Sequence, residues 1–150
     1  MKNNLVKYVL IAFSFCFVIG IGIGTYLFNK PAMNVAEEQP VYTVTAAQIY
    51  NEFSMNETQA NHKYLSDKNG KIIQISGTVS EIIAQGDTAL TISLKDSEMT
   101  EGGILCSMSK NEIADASSFK IGDKIVLKGE CTGYMDLTSE VSFSKCVVVQ

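Results

Sequence analysis

Two hydrophobic periods follow one another through the middle of the chain. From Thr45 to Tyr64, "TAAQIYNEFSMNETQANHKY", the apolar residues Ala46, Ile49, Phe53, Ala60 and Tyr64 recur at the spacing of one face of an α-helix. Thr45 followed three residues later by Gln48 is a capping-box pair, so an amphipathic helix is predicted to start there. Asn56 falls on the apolar seam, where its amide either bonds to nearby backbone or faces a ligand. After the turn "SDKNG" the period drops to two. Ile73, Ile75, Gly77 and Val79 alternate with Gln74, Ser76, Thr78 and Ser80, the pattern of a strand with one face buried, and the central glycine predicts a bend. Further strands are predicted over 88–96, 103–109, 120–134 and 140–149, with a short helical piece at 110–119 and an eight-residue connection at 133–140.

Five short strands, the first bent, with a helix between the third and fourth, match the order of an oligonucleotide/oligosaccharide-binding (OB) barrel. A β-sandwich would need about seven strands. An α/β fold would need helices between most of them. The predicted fold class is mainly β: a five-stranded OB-fold barrel preceded by an amphipathic α-helix, with an N-terminal transmembrane helix.

That last element rests on residues 8–28, "YVLIAFSFCFVIGIGIGTYLF", which are 21 consecutive uncharged positions. At about 1.5 Å per residue they span a hydrocarbon core of about 30 Å. The amino terminus, Lys2 and Lys7 precede this run and Lys30 alone follows closely, so the positive-inside bias places residues 1–7 in the cytoplasm and the remainder outside. No small-residue cleavage site of the A-x-A kind follows Phe28, which favours an uncleaved anchor over a removed signal peptide. "NKPAMNVAEEQPVY" (29–42) carries both prolines and no periodicity, and reads as a stalk leading to an OB-fold domain over 43–150. The lipid bilayer is thus the first expected partner, and the expected location is a single-pass membrane protein with its barrel outside the cytoplasm.

Charge narrows the ligand. Residues 31–150 hold nine lysines, no arginine and all sixteen carboxylates of the chain, a formal charge of −7. Such a surface repels phosphate, and arginine-based base readout is absent, so the composition argues against nucleic acid. His62, the single histidine, lies among polar neighbours on the helix face away from the seam and reads as solvated. No carboxylate pair has a spacing that separates acid and base roles, and "GKIIQISG" lacks the lysine and following helix of a phosphate loop. No catalytic residue, no metal site and no cofactor is expected, and the domain reads as a non-enzyme.

The residues also carry a likeness. The helix with Ile49, Phe53, Asn56, Glu57, Ala60 and Tyr64, then "ISGTV", "LC", "IGDKIVLKGECTGY" and the closing "SKC", resembles the tRNA-anticodon-binding-like OB-fold family of small bacterial envelope proteins over about residues 44–149. This resemblance implies the OB fold and an exported or membrane-attached bacterial protein.

Cysteine placement follows from the barrel. Its fifth strand lies between the third and fourth, which brings Cys106, Cys131 and Cys146 into neighbouring strands. Alternation turns Cys131 inward with Ile125 and Leu127, and Cys106 inward with Ile104 and Met108, whereas Cys146 is out of phase unless Ser144 and Lys145 form a bulge. Outside a membrane adjacent thiols cross-link, and the preferred pair is Cys131 with Cys146, ahead of another pairing or a redox or metal role. Ligands of such barrels bind on the face of strands two and three and at the loops 84–88 and 133–140. In the second loop Tyr134, Met135, Asp136 and Leu137 are the candidate ligand-binding residues. Tyr134 either stacks on a ligand or plugs the barrel end. The expected function is a membrane-anchored extracytoplasmic binding module for a protein or glycan of the cell envelope. Single-stranded nucleic-acid binding is the alternative, and a thiol-redox protein the third.

Overall fold

The computed structural model describes residues 19–24, 34–65, 71–86, 89–109, 112–116 and 118–149. The chain forms two compact units, Met1–Met33 and Asn34–Gln150. In the first, residues 19–24 are helical, and the rest of the expected span 8–28 lies outside the described residues. Among the described residues no helix is long and apolar enough to cross a membrane.

The second unit begins inside the segment read as a stalk. Residues 34–38 form a turn whose Asn34 side chain accepts from the Ala36 amide (3.3 Å), and Val35 is buried. Lys128 then donates to the carbonyls of Ala36 and Glu38, both at 2.9 Å, and fastens this turn to the sheet. Strand β1 (Tyr42–Thr45) follows, paired in parallel with the start of β2 (Ile72–Gln85). This sixth strand has only four residues, too few for an alternation to stand out beside the linker.

Helices α1 (Ala46–Met55) and α2 (Glu57–Tyr64) replace the single expected helix. Thr45 caps α1 through the Gln48 amide (3.1 Å), but the Gln48 side chain donates forward to Glu52 (3.2 Å), so only half of the capping box forms. Asn56 leaves helical geometry at φ −156°, ψ 87°, and its carboxamide oxygen accepts from the Gln59 amide at 3.0 Å. The seam asparagine is therefore the N-cap of a second helix, the local-backbone role, and the apolar face stays in register across the break, with Ala46, Ile49, Phe53, Ala60 and Tyr64 all buried. Removing a cap of this kind costs about 1 kcal/mol. Asn56→Ala is expected to lower the urea midpoint by that amount with an unchanged slope, and an unaltered midpoint would show that the cap contributes nothing.

The barrel is built from β2, β3 (Ala89–Lys95), β4 (Gly103–Ser109), β5 (Lys124–Met135) and β6 (Glu140–Val148), with a short helix α3 (Ile113–Ala116) between β4 and β5. Strand order is β1-β2-β3-β4-β6-β5, and β2 also pairs with β5, which closes the ring. One long strand achieves this closure because its first half, 72–78, pairs with β5 and its second half, 78–85, pairs with β3. The change of partner falls between Gly77 and a bulge at Ser80. Packing is tight at Gly77: a Cβ would lie 3.1 Å from the Cβ atoms of both Ala46 and Leu94, so either neighbour would have to shift by a few tenths of an ångström to admit one. Inside the ring Ile73, Ile75, Val79, Ile92, Leu94, Ile104, Leu127, Val141 and Phe143 are buried, as their period-two spacing requires.

Candidate ligand groove

Alternation that places Leu90, Ile92 and Leu94 in the barrel core turns Thr91, Ser93 and Lys95 to the other face of β3, where Ser93 is itself buried at 5% exposure. Register then assembles a polar face. Ser93 pairs with Glu81 of β2 and Leu105 of β4, and Thr91 with Ile83 and Ser107. At the β2 bulge the Ser80 hydroxyl lies 3.0 Å from the Ser93 carbonyl oxygen and 3.1 Å from its hydroxyl, while Thr91 and Ser107 hydroxyls are 3.4 Å apart. Hydroxyl groups thus line the middle of the sheet.

One end of this face is walled by the β5–β6 turn, residues 136–139. Ser80, Glu81, Ser93, Lys95, Gly102, Thr138 and Glu140 enclose a groove of about 380 Å³. The turn is held against the sheet by the close approach of Gly102, whose φ of +69° is left-handed. A side chain there would run into the Ser139 carbonyl and come within 2.6 Å of the Tyr50 ring. One ammonium, two carboxylates and several hydroxyls make the groove a set of mixed donors and acceptors with little apolar wall. Such a set suits a ligand rich in hydroxyl and amide groups.

Of the residues expected at the site, Tyr134 is committed elsewhere. Its ring stacks on Phe53 (5.8 Å, 16°) and meets Tyr50 edge-on (6.5 Å, 67°), the plugging arrangement. Met135 is half exposed at the end of β5, Asp136 is exposed, and Leu137 stands fully exposed at the turn. The turn gives Thr138 and Glu140 to the groove, positions just beyond the expected four. In the other expected loop, residues 87–88 lie outside the described residues. Ser80, Ser93 and Gly102 were not anticipated. A signal was present in one respect: the chain has no aromatic residue between Tyr64 and Phe119, so β2, β3 and β4 carry no stacking platform.

The aromatic residues gather under the helices instead. Phe53 also stacks on Tyr64 (5.8 Å, 28°), and Tyr64 meets Tyr42 edge-on at 5.5 Å. Glu52 ties α1 to α2 by accepting from Lys63 (2.6 Å) and from the Tyr64 hydroxyl (2.9 Å). Burial works against the Glu52 carboxylate, but the hydrogen bonds from Lys63, Tyr64 and Gln48 together hold its pKa below the ordinary range. Burial in turn raises the Tyr64 phenol. This cluster holds the helices to each other and to the barrel.

The cysteine strands lie as expected, with β6 between β4 and β5. The bulge is present too: Lys145 has φ +54°, and the β5–β6 register jumps from Glu130↔Ser144 to Lys128↔Val147. Cys146 is thereby turned inward. Cys106, Cys131 and Cys146 are buried thiols in this structure. The bulge sets Cys146 over Gly129 and leaves Cys131 two positions away along β5. Among the described residues no group of three or more metal-ligating side chains is arranged around a common point.

A family model described as tRNA_anti-like matches residues 1–147. The chain belongs to the tRNA_anti-like family. Among solved structures, this tRNA_anti-like protein is similar to a lipoprotein of Klebsiella pneumoniae named as a candidate nucleic acid-binder, at 18% identity and a TM-score of 0.58, covering 81% of this chain and 100% of that one. At that identity the likeness shows the fold. It is similar as well to OBody AM3L09, solved bound to hen egg-white lysozyme (13% identity, TM-score 0.42, 60% of this chain and 92% of that one). A third similarity is to asparaginyl-tRNA synthetase of Entamoeba histolytica (15% identity, TM-score 0.40, 57% of this chain and 22% of that one). These two likenesses are too slight to carry an argument about the tRNA_anti-like chain. Among curated proteins no relative matches it.

Proposed function

We propose that this tRNA_anti-like protein is a non-catalytic binding module held at the outer side of a membrane by residues 8–28, with residue 1 in the cytoplasm. Its ligand is a protein or glycan of the cell envelope, received in the groove between the β2–β3 face and the 136–139 turn. The observation that carries this reading is the lining: Ser80, Ser93 and Thr138 hydroxyls interleaved with Glu81, Lys95 and Glu140, on a face without an aromatic ring. Hydroxyls and carboxylates bind sugar hydroxyls and peptide amides by paired hydrogen bonds. Two carboxylates beside one ammonium repel a phosphate backbone.

A second reading is single-stranded nucleic-acid binding, supported by the name of the Klebsiella lipoprotein. OB-folds that bind single strands without sequence preference combine a cationic groove with stacking aromatic residues. This face has neither. The test is a titration of the full chain in detergent micelles with soluble fragments of bacterial cell-wall glycan and, separately, with a fluorescent single-stranded DNA oligomer at low and high salt. Saturable glycan binding that Glu81→Gln and Lys95→Ala each weaken by about tenfold, the loss of one charge-assisted hydrogen bond, supports the groove with a glycan ligand. DNA binding that falls steeply with salt would replace it with the second reading. Binding to neither leaves an envelope protein as the ligand of the first reading, to be sought by crosslinking from Thr138.

A further inference from the structure

The charges of the groove are unevenly placed. Thr78 pairs with Lys95 and Val79 with Leu94, but the bulge then shifts the register, so that Glu81 rather than Ser80 stands opposite Ser93. Two residues of β2 thereby share the place of one, and both line the groove.

Lys95 leans the other way. A Cβ on Gly103 of β4 would lie 2.9 Å from the Ser93 Oγ and 3.8 Å from the Lys95 Cε, so both side chains extend toward β4 over the room that this glycine leaves. Next in order comes β6, where Glu140 is the register partner of Gly103. The ammonium therefore lies on the Glu140 side of the groove and the Glu81 carboxylate on the β2 side. Between them, on the β2–β3 seam, the Ser80 and Ser93 hydroxyls are 3.1 Å apart.

On adjacent strands, about 4.8 Å apart, the charges of Lys95 and Glu140 offset each other. Glu81 is left over. Among the described residues it forms neither an ion pair nor a side-chain hydrogen bond. Residues 31–150 carry a formal charge of −7, so the surrounding field draws cations to this carboxylate and repels anions. A lysine side chain would bring a four-carbon apolar stem to a groove with little apolar wall. An amino sugar carries its ammonium directly on a ring of hydroxyls, which matches a carboxylate beside serines.

We propose that the groove takes a glycan bearing an unacetylated amino group, with Glu81 as the carboxylate that receives the ammonium. This rests on the groove being the ligand site. The Ser80 and Ser93 hydroxyls then meet the neighbouring sugar hydroxyls, and Lys95 with Glu140 holds the next polar groups along the chain of sugars.

The test titrates the full chain in detergent micelles with two oligomers of equal length, β-linked glucosamine and β-linked N-acetylglucosamine, at about pH 6, where amine and carboxylates are both charged. The glucosamine oligomer is expected to bind about tenfold more tightly, the worth of one hydrogen bond to a charged group. Glu81→Gln should bind the two alike, whereas Lys95→Ala should weaken both and keep the preference. Glu57→Gln removes an exposed carboxylate of α2 outside the groove and should leave the preference unchanged. Equal binding of the two oligomers by the parent, or a preference that survives Glu81→Gln, would overturn the ammonium subsite and leave the groove reading standing. A preference that falls as far in Glu57→Gln as in Glu81→Gln would show general attraction to an acidic surface and overturn it as well. Binding of neither oligomer would remove the subsite together with the glycan ligand.

Discussion

Gly102→Ala releases the 136–139 turn from the sheet and takes the groove with it. Two costs add at this position. The left-handed backbone at φ +69° disfavours any residue with a Cβ by about 1–2 kcal/mol. The added methyl meets the Ser139 carbonyl and the edge of the Tyr50 ring, and forced overpacking of this kind costs about 1–3 kcal/mol. Backbone cannot rotate away as a flexible side chain would, so the loop must move. A loss of about 3 kcal/mol in urea unfolding of the full chain is expected from these two sources together, accompanied by loss of any groove ligand. Parental stability in the variant would show that the turn does not rest on Gly102 as described.

Phe53→Ala is expected to be the most damaging single change in the helices. The ring is 1% exposed and lies between Tyr134 of the barrel and Tyr64 of α2. Truncating a buried phenylalanine costs about 3–5 kcal/mol through lost transfer energy and the cavity left behind. Against a total of about 5–15 kcal/mol for a domain, that is a large share. A fall in Tm of roughly 10–20 °C is expected, with loss of the near-ultraviolet circular dichroism of the packed tyrosines. Phe53→Leu should restore more than half. If Phe53→Ala unfolds within about 1 kcal/mol of the parent, the helices are not packed on the barrel through this ring.

Why some features could be read from the chain and others could not has a physical basis. The five barrel strands announce themselves because a closed barrel buries one face along its whole length, so Ile73-Ile75-Gly77-Val79 and Ile125-Leu127 keep strict alternation. The inward turn of Cys146 was legible for the same reason, as a phase error that only a bulge corrects. The break at Asn56 was hidden because the apolar seam continues through it, and one side chain serves equally as an interruption or a cap. β1 and the docked turn at 34–38 were hidden because they are held largely by backbone pairing and by the Lys128 ammonium, and their isolated buried residues, Val35 and Val44, are too few to set up a period. The groove was the hardest feature. Serines and threonines face outward on most sheets, and what makes these a site is the approach of the 136–139 turn, fixed by a contact 37 residues away in sequence between Gly102 and Ser139.

The measurement closest to the central claim is an amide chemical-shift map of the isotope-labelled full chain in micelles during titration with cell-wall glycan fragments. The account predicts saturable shifts confined to Ser80–Glu81, Ser93–Lys95, Gly102 and Thr138–Glu140. Shifts that appear instead around the helix cluster of Glu52, Asn56 and Lys63, or along the opposite side of the barrel, would contradict it.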